Sequence, residues 1–183
     1  MTFVFGYGSL INTATNAGEL DNPLQKPVWP VTVTGLKRSL NVLTPATNTL
    51  VFGVYKDKNK KEQATNGILI QVNQHELQKL KLRERLYTVK TLDTKQIINT
   101  YGVVLPPIKK LLCFFPLQKY VVDHKIHFPV FPGYLKLCLH GCKQFGKQFV
   151  QDFIKGLNLS LNKKTTTRKR HYKNRLKLHL TKR

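Results

Sequence analysis

With 183 residues the chain can form one domain with a proper core and hardly two, and its 41% hydrophobic content, including seven tyrosines and ten phenylalanines, excludes a compositionally disordered body. Three cysteines without a regular framework argue against a secreted disulfide scaffold. No segment reaches membrane-span length and Met1–Ile11 lacks the marks of a signal peptide, so the expected compartment is the cytoplasm. The 31 Lys plus Arg against nine Asp plus Glu give a formal charge of +22, a field that attracts nucleic acid, anionic membrane and acidic small molecules alike.

Along the chain, Thr2–Phe5 reads as a β-strand that runs into Gly6-Tyr7-Gly8-Ser9-Leu10. Glycines on both sides of a tyrosine predict a tight loop with bare main-chain amides. Such a loop can hold a carboxylate or phosphate, with the Tyr7 and Ser9 hydroxyls as further donors, although the pattern alone favours a plain glycine turn after a strand. Val28–Leu43 is rich in valine and threonine and reads as a strand pair or one long strand bent at Gly35. Leu50–Tyr55 and Asn66–Val72 are two more strands, joined by the lysine-rich stretch 56–65 as a hairpin tip. Asn73-Gln74-His75-Glu76 has the form of a helix N-terminus, and Leu77 and Leu80 follow at helical spacing.

β character returns at Tyr87–Leu92, Gly102–Leu105 and Leu111–Phe115, the last two separated by Pro106-Pro107, for about six strands in all. From Tyr134 the period changes: Cys138, Cys142, Phe145, Phe149 and Phe153 recur at steps of three and four and mark one face of a long C-terminal helix, with Lys136, Lys143 and Lys147 on the other. Cys138 and Cys142 sit in an aromatic stripe without histidine, which favours core cysteines over metal ligands. The order of elements predicts an α+β fold with a curled antiparallel or mixed sheet. The domain is expected over residues 1–160 and a mobile basic tail over 161–183, since Lys163–Arg183 holds ten Lys or Arg and no acid.

Nine carboxylates limit the acid–base chemistry. Glu19 and Asp21 fall in a polar loop, Asp57 and Glu62 in the lysine-rich hairpin, Glu76 at a helix N-terminus and Asp152 on a helix flank. Glu84 stands apart. If the helix continues that far, Leu77, Leu80 and Glu84 share one face, and the acid occupies an apolar position. Desolvation there raises a carboxyl pKa toward neutrality, which suits a general acid or base. The same residues on their own favour an ion pair with Arg83 or Arg85.

Tyr7-Gly8-Ser9-Leu10 after a first strand, Gly35-Leu36-Lys37-Arg38, Gly67 opening a strand and Arg83-Glu84-Arg85-Leu86-Tyr87, in this order and spacing, resemble the γ-glutamylcyclotransferase-like family. Tyr134–Ile154 resembles the C-terminal helix of its bacterial members, so the resemblance covers about residues 1–157. It implies a small β-barrel-like α+β fold and an enzyme that cyclises a γ-glutamyl group to 5-oxoproline and releases an amine. Carried over, Tyr7, Gly8, Ser9 and Leu10 become substrate-binding, Glu84 the catalytic acid/base, Tyr87 a pocket wall and Tyr134 a further substrate contact. No cofactor or metal is implied, and the partner is a small γ-glutamyl substrate. The chain departs from the bacterial pattern at Phe131-Pro132-Gly133, which replaces a polar pair, and the basic tail lies outside the family pattern. The alternative is a catalytically silent module of the same fold that acts through its tail on nucleic acid, without sequence specificity, or on an acidic partner; a membrane-surface role for the tail is disfavoured by its strand-like leucine alternation.

Overall fold

Phe3, Val4 and Phe5 are all fully buried, although alternate residues of a strand point to opposite faces. In the computed structural model, which describes residues 1–56, 63–123 and 128–158, the reason is position. β1 (Thr2–Gly6) lies inside a six-stranded sheet of order β6-β8-β1-β5-β2-β7 and is covered on both sides. The other strands are β2 (Val28–Thr34), β5 (Ala64–Val72), β6 (Tyr87–Leu92), β7 (Ile97–Ile98) and β8 (Lys110–Pro116). β1 pairs antiparallel with β5 and parallel with β8, and the other pairings are antiparallel. The continuous apolar runs Ile68–Ile70 and Leu111–Phe115 are buried like that of β1, as expected for inner strands with no solvent face.

A second sheet is the hairpin of β3 (Leu36–Thr44) and β4 (Thr49–Lys56), with a register shift between Leu40 and Val42. β4 contacts β8 and β3 contacts β5, so the hairpin curls over the main sheet. Close approach is possible because Gly53 has no side chain: a Cβ there would lie 2.6 Å from the Pro116 ring. The class is α+β, with eight strands among the described residues instead of six. The stretch Val28–Leu43 is indeed two strands, separated by Gly35 at φ +72°. Gly102–Leu105 is not a strand. Its Val104 is 91% exposed, and the sheet edge is taken by the two-residue β7.

Helix α1 (Gln74–Arg83) starts at Asn73, whose side chain accepts the Glu76 amide while the Glu76 carboxylate accepts the Asn73 amide, a reciprocal cap that satisfies two otherwise orphaned donors. The expected long C-terminal helix is two helices, α2 (Tyr134–Lys143) and α3 (Gly146–Asn158). Gly146 has φ +85°, a left-handed conformation that ends one helix direction and starts another. The buried stripe survives the break: Cys138 and Cys142 on α2, Phe149 and Phe153 on α3, all fully buried. The lysine-rich hairpin tip with Asp57 and Glu62, and the basic tail at 161–183, lie outside the described residues. Among the described residues no helix is long and apolar enough to cross a membrane.

Candidate active site

β1 ends at Gly6, and the chain folds at once into a short 3-10 turn, Ser9–Ile11. The Ile11 and Asn12 amides close this turn on the Gly8 and Ser9 carbonyls, whereas no acceptor among the described residues meets the amides of Gly8, Ser9 or Leu10. Three adjacent unpaired N–H groups are the kind of feature that can hold an anion. Ser9 is half-buried and its hydroxyl also has no partner among the described residues, so it can add a donor.

Tyr7 departs from the expectation of a hydroxyl offered to a ligand. Its side chain points into the core and donates to the Phe114 carbonyl at 2.7 Å, and burial holds its pKa far above the usual phenol value. Leu10 is likewise a core residue. Only the main chain of this segment, with Ser9, faces the candidate site.

Glu84 does not sit on the face of a continuing helix. α1 ends at Arg83, and Glu84 is the C-terminal cap residue (φ −85°, ψ 40°), its amide bonded to the Leu80 carbonyl and its carbonyl to the Tyr87 amide. The chain reverses there into β6. The side chain is only 15% exposed. This desolvation raises its pKa above the usual 4.5; Arg83, whose Nε lies 3.6 Å from Oε1, pulls the other way, and Glu19 adds to the rise. Both readings allowed by the residues, a pair with Arg83 and a desolvated acid, therefore describe the same carboxyl.

Tyr87 and Tyr134 complete the setting. Tyr87 Oη donates to the Phe52 carbonyl at 2.7 Å, and Tyr134 Oη accepts the Phe52 amide at 3.2 Å. The Tyr134 hydroxyl lies against Gly8, where a Cβ would come within 2.9 Å of it. Tyr7, Tyr87 and Tyr134 each feel the charge of Glu84, so strand end, cap residue and the start of α2 meet at one place, and burial drives all three phenols well above their usual pKa. They are neutral donors or acceptors at any physiological pH. Gly133 explains the departure before Tyr134: at φ +74° it turns the chain so that Tyr134 becomes the first residue of α2. α2 itself is pressed onto the turn, since a Cβ on Gly141 would lie 2.6 Å from the Asn12 nitrogen.

Sequence reasoning assigned no role to three residues that surround the site. Phe52 acts through its main chain, which no side-chain motif can signal. Asn16 is fully buried between the turn and α1. Arg38 is 2% exposed, donates to the Asn66 carbonyl and Oδ1, and packs 4.1 Å from the Phe153 ring centroid; burial lowers its pKa to about 10. It feels Tyr7 and Tyr134 from the far side. A cavity of about 400 Å³ next to Arg38, lined also by Thr32, Asn66, Asp152 and Lys155, does not include Glu84 or the turn. Among the described residues no cluster of His, Cys, Asp or Glu is fit to hold a metal ion.

No protein-family model and no curated protein matches the chain. Solved structures do. A structure named γ-glutamyl cyclotransferase superposes with a TM-score of 0.61 at 15% identity, over 89% of this chain and 90% of the other. The chain has the γ-glutamyl cyclotransferase fold. A γ-glutamyl cyclotransferase from yeast described as specific to glutathione aligns with a TM-score of 0.52 at 12% identity, over 88% of this chain and 97% of its own. YkqA from Bacillus subtilis aligns with a TM-score of 0.62 at 20% identity, over 88% of this chain but 55% of its own. Within the γ-glutamyl cyclotransferase fold of this chain, the turn after β1, the cap of α1 and the start of α2 converge as described above.

Proposed function

We propose that the protein is a γ-glutamyl cyclotransferase-type enzyme, with Glu84 as general acid/base and the turn at Gly8–Leu10 as the site for the α-carboxylate of a γ-glutamyl group. The observation that carries the reading is one desolvated carboxyl, its pKa raised, whose charge reaches Tyr7 and Tyr134, the two side chains next to a turn that offers unpaired amides. The fold shared with structures named γ-glutamyl cyclotransferase supports it.

The chemistry needs little else. The substrate's own α-nitrogen attacks its γ-carbonyl carbon, a new C–N bond closes the five-membered 5-oxoproline ring, and the original C–N bond breaks to release the amine. Glu84 accepts a proton from the α-nitrogen as that becomes a nucleophile and delivers a proton to the departing nitrogen, a shuttle typically worth about 10²- to 10⁴-fold. A raised pKa lets the carboxyl serve in both directions near neutrality. Nucleophile and electrophile belong to one molecule, so holding the folded conformer against the turn contributes much of the rate. Tyr87 and Tyr134, fixed through Phe52, form the wall beside Glu84.

The test is 5-oxoproline release from a panel of γ-glutamyl amines and amino acids, glutathione included, by wild type and Glu84→Gln. Release by the wild type that falls at least about 10²-fold in the variant supports the reading. Equal release by both proteins, or none from any substrate, overturns it.

A further inference from the structure

Arg83 directly precedes Glu84, and its guanidinium, on a side chain 23% exposed, reaches the segment that follows the candidate carboxylate-binding turn. Nη1 donates to the Thr15 carbonyl at 3.2 Å, to Asn16 Oδ1 and to Glu19 Oε2 at 3.1 Å, while Nε faces Glu84 Oε1 at 3.6 Å. Asn16 passes the connection on. Fully buried, it accepts from Arg83 through Oδ1 and donates through Nδ2 to the Leu10 carbonyl at 3.2 Å. An unbroken path of polar contacts thus runs from Glu84 through Arg83 and Asn16 to Leu10.

We propose that Arg83 is a positioning residue, which fixes Glu84 against the turn at Ser9–Ile11 by way of Asn16, and that Glu19 sets how much of the guanidinium's charge falls on Glu84. The inference rests on the reading of Glu84 as acid/base. Arginine suits the task because its planar fork meets several acceptors at once and keeps its charge, which a lysine reproduces only as a point charge. The groups that face Glu84 are Arg83, Glu19, and the phenols of Tyr7, Tyr87 and Tyr134. The phenols are neutral, so the balance between Arg83 and Glu19 dominates the local charge. Arg83 favours the ionised carboxylate and Glu19 opposes it.

Two readouts on the full-length chain test the proposal. One is the titration of Glu84 itself, followed by carboxyl carbon NMR with Glu84→Gln for assignment; the other is the pH profile of 5-oxoproline release. Glu19→Gln is expected to move the Glu84 titration to lower pH, and Arg83→Met to higher pH. Arg83→Lys is expected to shift it least while lowering kcat about tenfold or more, because the charge stays and the fork is lost. A staple with a merely structural role would not produce shifts of opposite sign. If Arg83→Met does not fold, Glu19→Gln and Arg83→Lys still decide: no downward shift in the first, or wild-type kcat in the second, overturns the proposal. If the titrations shift in opposite directions but wild type releases no 5-oxoproline, the charge balance stands and the assigned reaction falls.

Discussion

Tyr87 and Tyr134 hold opposite main-chain groups of one residue, Tyr87 the carbonyl and Tyr134 the amide of Phe52, so the β3–β4 hairpin is tied to β6 and to α2 at the same point. Each substitution to phenylalanine strands one partly buried backbone group, at a cost of about 1–2 kcal/mol. Thermal unfolding should show both variants destabilised to that extent. Activity should separate them, because the Tyr134 hydroxyl lies against Gly8: Tyr134→Phe is expected to lower kcat/KM about tenfold or more, beyond any loss in Tyr87→Phe. Equal losses would show that the two rings act only as ties.

Gly8→Ala puts a Cβ 2.9 Å from the Tyr134 hydroxyl. The side chain has to move, and a displacement on this scale near a reacting centre can cost about 10²-fold in rate. The expected outcome is a folded protein, destabilised by no more than about the 1–2 kcal/mol of Tyr134→Phe, and strongly reduced 5-oxoproline release. Adding Tyr134→Phe removes the clashing oxygen, so the double variant should recover part of what Gly8→Ala loses. No recovery would place the damage in the turn itself.

The raised pKa of Glu84 has a consequence for stability. The folded chain binds this proton more tightly than the unfolded one, so stability falls as pH rises from the ordinary carboxyl value of 4.5 through the raised value, and above it the full desolvation penalty applies. Glu84→Gln removes the penalty. Its melting temperature at pH 7 should equal or exceed that of wild type, with the difference closing below about pH 4. A lower melting temperature at pH 7 would mean that the contact with Arg83 outweighs desolvation.

Glu76 titrates with the opposite sign. It is fully buried, and burial alone would raise its pKa, but the bond from Lys26 Nζ at 2.5 Å and the amides of Asn73 and Asp21 hold it below the usual 4.5. Its contribution is present above the unfolded value and is lost as pH falls through the folded one. Glu76→Gln should therefore cost about 2 kcal/mol at pH 7, a fall in melting temperature of about 4–8 °C, and much less in acid. A melting curve unchanged at pH 7 would show the pair with Lys26 to be energetically neutral.

What could be read in advance was local. The run Phe3–Phe5 and the cap at Asn73 each express one element's own geometry, and each is found there. Distance in sequence hid the rest. Nothing near Tyr7 says that its hydroxyl belongs to Phe114, and nothing near Glu84 says that Asn16 will lie behind its neighbour. Apolar spacing misled three times. Phe145, Phe149 and Phe153 keep helical steps across the Gly146 break because both helices bury the same side, and the apolar residues at Gly102–Leu105 sit in a loop. For Glu84 the spacing implied burial on a helix face, whereas the burial comes from a chain reversal at the helix cap.

The order of strands also bears on synthesis. β1 takes its antiparallel partner from Ile68–Val72 and its parallel partner from Lys110–Cys113. Residues Thr2–Gly6 leave the ribosome before either, and their three fully buried apolar side chains lack one of the two flanking strands until Lys110–Cys113 has been made. The turn at Ser9–Ile11, which packs against α2, is complete only once Tyr134–Lys143 has been made as well. The expected kinetic signature is slow, length-dependent acquisition of native structure, in which nascent chains that stop before Lys110 expose Phe3 and Phe5 and aggregate.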